Sequence, residues 1–159
     1  MKNKKSSLDI SESQGLGMMI LNRTYLKMHS KSVYIYAMQK NKDANISFYL
    51  RSSNLDAADS DTFNDNALIV NGEATALPPV YITTPFGMDK KWVIQDTESM
   101  IDLTFTPVSI APRKLNLIAL RTSYTLIYGI FEGSLLTKDG KKIAIKNFSG
   151  ILYKNLLRL

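Results

Sequence analysis

The sequence predicts an all-β fold: an antiparallel barrel, closed or nearly so, or a strongly bent sandwich of about 8–10 strands. Three observations lead there. Apolar residues alternate with polar ones at a period of two, as half-buried strands require. Turn signals punctuate the chain from Gly15 onward. Glycines also interrupt a long apolar run that no helix would tolerate well.

Residues 1–14 are polar and aperiodic and read as a flexible arm ahead of one domain over 15–159. Residues 32–38 (SVYIYAM) are apolar on both faces, which suits a strand with a core on one side and a second layer or partner on the other. Ile46, Phe48 and Leu50 alternate with Ser47, Tyr49 and Arg51. Residues 52–66 are a polar interruption with room for a short helix. Asn71-Gly72 and Asp139-Gly140 tolerate the positive φ of tight hairpin turns. Over residues 100–106, Ile101, Leu103 and Phe105 fall on one face and Asp102, Thr104 and Thr106 on the other. Pro78, Pro79, Pro107 and Pro112 mark strand ends or edges, since proline donates nothing to a ladder. Residues 123–137 are long enough for a helix but hold Gly129, Gly133 and many β-branched or aromatic residues. As a strand they put Ile127, Gly129, Phe131, Gly133 and Leu135 on one face, with glycines where a barrel must bend.

The 159 residues fit one domain, and 45% hydrophobic with 21% charged residues is ordinary for a globular chain. The absence of cysteine excludes disulfides, thiolate metal sites and thiol nucleophiles. The basic start lacks a signal peptide's apolar stretch, and no apolar run is long enough to span a bilayer. A cytoplasmic location is expected. The net charge of +6 is scattered over the arm and the turns, at Lys40 and Lys42 and again at Lys138, Lys141 and Lys142. With no nucleic-acid motif beside it, no nucleic-acid partner is expected.

The segment DNALIVNGEATAL, the Asp-Leu-Thr-Phe-Thr-Pro run at 102–107, and Gly129-x-Phe131-x-Gly133 followed by Asp139-Gly140 and Gly150 together carry a resemblance. Residues 65–150 resemble the C-terminal half of a bacterial family, domain of unknown function number 2804. That family is similar to lipocalin-like (calycin-like) proteins that include carotenoid hydratase and tocopherol cyclase relatives. The resemblance implies a lipocalin-like barrel, and a chain matching the second of two β-barrel-like halves. The residues after Gly150, ILYKNLLRL, depart from the family's glutamate- and tryptophan-bearing strand.

Single residues give little chemistry. His29 is the only histidine and reads as an exposed turn residue. Asp56, Asp59, Asp61 and Asp65 could offer oxygens to calcium, but the spacing fails the EF-hand pattern. Asp102 and Glu132 are strand carboxylates, and the hydratase resemblance implies alkene protonation if either faces an enclosed apolar pocket. The aromatic set Tyr34, Tyr36, Phe48, Tyr49, Trp92, Phe105, Tyr128 and Phe131 fills either a core or the lining of a ligand cavity. The candidate ligand-binding residues are Tyr34, Tyr36, Trp92, Phe105, Tyr128, Phe131 and Glu132. The leading reading is a barrel that binds a hydrophobic small molecule without a cofactor, metal or membrane span. The alternatives are an interaction domain, partnered by a second copy or by a separate N-terminal half, and a hydratase- or cyclase-type enzyme.

Overall fold

The alternating runs become nine strands: β1 (His29–Lys40), β2 (Asn45–Ser53), β3 (Ala67–Val70), β4 (Glu73–Ala76), β5 (Tyr81–Thr83), β6 (Trp92–Gln95), β7 (Ile101–Asn116), β8 (Arg121–Leu136) and β9 (Lys142–Arg158). The computed structural model describes residues 17–21, 27–40, 44–54, 64–117 and 121–158. The expected arm over 1–14, the candidate helix and most of the aspartate loop lie outside them.

All pairs are antiparallel, in the order β4-β3-β2-β1-β9-β8-β7-β6-β5, and the sheet curls into a half-barrel. Laid flat, nine strands would separate the edges by roughly 38 Å. The edges β4 and β5 are nevertheless joined by the four residues 77–80. Five peptide steps reach at most roughly 17 Å. Curling is therefore demanded by chain connectivity as well as by the need to bury one face.

Turn chemistry follows the sequence. Asn71 and Gly72 have φ of 52° and 86° and close the β3–β4 hairpin. In the β8–β9 hairpin Gly140 alone takes the positive angle, 75°, within a loop closed by the Thr137 N–H donating to Lys141 O at 3.0 Å. Pro107 and Pro112 lie inside β7, which pairs with β6 only as far as Phe105. Beyond that residue β7 has β8 alone as a partner, so both prolines stand on a free edge.

The concave face holds the core. Ile35, Phe48, Leu50, Leu68, Trp92, Ile94, Ile101, Leu103, Phe105, Ile127, Phe131, Phe148 and Leu152 are all buried there. The rings interlock: Trp92 meets Phe105 edge-on at 6.3 Å, Phe105 lies 4.6 Å from Phe131, and Phe131 meets Phe48 edge-on at 5.3 Å. Gly129 pairs with Gly150 across β8 and β9. A Cβ at Gly129 would sit 2.5 Å from the Phe105 ring, and one at Gly150 would sit 2.7 Å from the Phe131 ring. The two glycines leave the space that the Phe105 and Phe131 rings occupy against the backbone.

Candidate functional site

The outer face is built from the residues between the core positions. One cross-strand row reads Tyr49, Tyr36, Ile151, Tyr128, Ser109 across β2, β1, β9, β8 and β7. The next reads Arg51, Tyr34, Tyr153, Leu126, Ala111, and Tyr124 stands opposite Asn155 in the row beyond. Five strands make each row roughly 19 Å wide. Six of the chain's eight tyrosines therefore share this face, whereas Phe48, Phe105, Phe131, Phe148 and the sole tryptophan fill the concave one. The division has a physical basis. A phenol carries a hydroxyl that needs water or a polar partner, and a sealed ring stack offers neither.

The tyrosines touch one another. Tyr34 stacks on Tyr36 at 6.4 Å and 9°, Tyr36 lies 5.3 Å from Tyr49, and Tyr153 bridges Tyr34 at 6.0 Å to Tyr124 at 5.7 Å. Tyr34, Tyr36 and Tyr153 are half-buried, and Tyr49 is buried against the Arg51–Asp65 ion pair of 3.1 Å. Burial pushes the phenols of Tyr36, Tyr49 and Tyr153 above the ordinary value of 10.0, and the Asp65 carboxylate pushes Tyr49 further. All three are neutral at physiological pH. At the β8–β9 side the face opens to solvent: Leu126, Tyr128 and Ile151 are 42%, 44% and 40% exposed.

The structure divides the sequence-predicted residues between the two faces. Trp92, Phe105 and Phe131 are at most 1% exposed and belong to the concave core. Tyr34, Tyr36 and Tyr128 stand together on the outer face. Glu132 is exposed on that same side of the sheet, opposite Thr104, as is Asp102, which accepts a hydrogen bond from Gln95 at 3.1 Å. Neither carboxylate is enclosed. His29 begins β1, exposed, opposite Arg158. Sequence reasoning left Tyr124, Leu126, Ile151 and Tyr153 out of the site. The signal for them was available, because these residues alternate with core positions in β8 and β9.

A separate cleft of about 300 Å³ lies at the other end of the outer face, where Met18 and Met19 meet Met38, Ile46 and Ile69. Its wall is apolar, with Asn45 and Ser47 as polar points.

No helix among the described residues is long and apolar enough to cross a membrane, which says nothing of crossing by strands. No curated protein and no solved structure matches the chain. One family model does, over residues 1–158, and by that match the chain belongs to the family described as Domain of unknown function (DUF2804).

Proposed function

We propose that this domain is a non-catalytic interaction module whose outer tyrosine face packs against a companion β-domain. The observation that carries the reading is the two adjacent cross-strand rows of tyrosine, leucine and isoleucine, open to solvent at Leu126, Tyr128 and Ile151. Large amphipathic rings are the side chains that interfaces favour, since they bury much area at small entropic cost. The concave face, where a ligand would sit in a hollow barrel, is occupied by interlocked rings.

The rim of the face favours a companion over a second copy. Arg113 stands at its edge in the row of Tyr124 and Asn155, and the outer-face stretches of β7–β9 that it borders, 105–131 and 142–158, contain no aspartate or glutamate. Self-pairing through the β7–β9 part of this face would leave that cation with no acid to meet. The resemblance to two-part relatives suggests the occupant: the preceding β-barrel-like half, whether in the same polypeptide or another. The test is light scattering on this chain mixed with the first half of a two-domain family member. A one-to-one complex is expected, and Leu126→Asp or Tyr128→Asp should abolish it without unfolding the chain, because both sites are exposed. Independent migration of the two proteins, or a homodimer of this chain alone, would overturn the proposal.

A second reading is supported by the methionine cleft, which has the size and apolar lining of a small-ligand site with adaptable walls. Ile69→Trp should fill it and remove binding of a lipophilic dye. Unchanged dye binding in that variant would dismiss this reading.

A further inference from the structure

We propose that the free end of the β1–β9–β8–β7 sheet is a docking tip for an anionic bilayer surface. Beyond the core, β7 and β8 continue with little covering them, and every residue from Val108 to Leu117 is exposed. The concave-side rows here read Lys31, Leu156, Ser123, Lys114 and then His29, Arg158, Arg121, Asn116. Arg113 lies on the opposite face of the same end. Arg121 stands directly across from Arg158. Like charges in that position disfavour the isolated sheet. No ion pair relieves them among the described residues: Asp65 is held by Arg51, Asp89 lies against Lys90, and Glu73 reaches Lys138 at 3.6 Å. The remaining described acids, Asp96, Glu98, Asp102, Glu132 and Asp139, sit at the β6–β7 and β8–β9 turns, at the other end of the strands. That other end also carries Lys138, Lys141 and Lys142, but among the described residues the tip's cations stand without an acid, and the tip calls for an anionic partner.

The apolar residues decide which anion. Leu115, on the face of Arg113, Leu117 just beyond it, and Leu156, opposite Lys31, are 49%, 55% and 51% exposed at this end. Aliphatic side chains neither stack on bases nor hydrogen-bond to them, so a nucleic acid would leave them unused. An anionic bilayer accepts both parts: leucines enter the interfacial layer while lysine and arginine meet lipid phosphates. The stacked tyrosines, the rings a base would need, are set back along the strands on the outer face. Lys114, Leu117 and Arg121 lie outside the tyrosine rows, so substituting them leaves the companion face intact and the two proposals fail independently.

The experiment is sedimentation of the whole chain with phosphatidylcholine vesicles that either contain or lack phosphatidylserine. Binding is expected only with phosphatidylserine, weakening as salt rises. Arg121→Gln should reduce affinity about fivefold, and Lys114→Gln with Arg121→Gln about 25-fold. A Leu117→Trp variant should show a blue-shifted emission on binding, reporting insertion beyond electrostatic adsorption. Near-ultraviolet circular dichroism controls for folding. No binding, binding without the blue shift, or tighter binding to a single-stranded oligonucleotide than to vesicles would overturn the proposal.

Discussion

Gly129 shows how single positions set the curl. Its missing Cβ is the space into which the Phe105 ring fits, and the Thr106 carbonyl approaches the same point. Gly129→Ala must push a ring or a backbone segment aside in a close-packed interior. A loss of about 2–3 kcal/mol in urea unfolding is expected. Tyr49 makes a second prediction at this scale. Its phenol is raised above 10.0 by burial and then by Asp65, so the folded state favours the neutral form more than the unfolded chain does. The linkage then runs one way. This stabilising term is complete below pH 10 and is lost as pH climbs through the raised folded value. Urea midpoints should hold steady between pH 8 and pH 10 and fall above it, and Tyr49→Phe should fall less steeply. Equal slopes for the two proteins would refute the assignment.

Among the elements, the connection over 77–80 matters most, because it joins the two sheet edges. Asn66 clasps it. The Leu77 N–H donates to Asn66 O at 2.9 Å, Asn66 Nδ2 donates to Pro78 O at 2.8 Å, and the Arg51 N–H donates to Asn66 Oδ1 at 2.7 Å. Asn66 is only 3% exposed, so water cannot replace those bonds. Asn66→Ala should cost about 2–3 kcal/mol, since it strands a buried carbonyl and a buried N–H. Thermal unfolding of the variant checks this. The strands themselves were largely legible in the sequence. Ile101, Leu103 and Phe105 lie on the core side of β7 as their alternation required, and the run with interior glycines became β8. Asn66 was not legible. A polar residue at the end of a polar stretch looks the same whether it is solvated or, as here, buried as a clasp. The free edge of β7 was half legible: Pro107 and Pro112 announced an edge, but not that it begins only where β6 ends.

At the scale of the whole molecule, the aromatic residues of the strands form two populations with the sheet between them. Alternation revealed both faces of each strand, but it could not reveal which face the curl would enclose. Tyr34 and Tyr128 were therefore grouped with Trp92 and Phe131, which lie on the opposite side. Residue chemistry carried the missing information, since hydroxyl-bearing rings went outward and bare rings inward. The concave side is packed, and on the proposed reading it is the convex side that binds. Trp92, the only tryptophan, is 1% exposed and lies against Phe105, so its fluorescence reports on the interior alone. The most direct measurement is Trp92 emission and acrylamide quenching while the companion half, or a saturating lipophilic probe, is titrated in. An emission spectrum and a quenching constant that stay unchanged as binding saturates are the predicted result. A shift or loss of Trp92 emission that tracks occupancy would place the binding site inside the barrel and contradict the account.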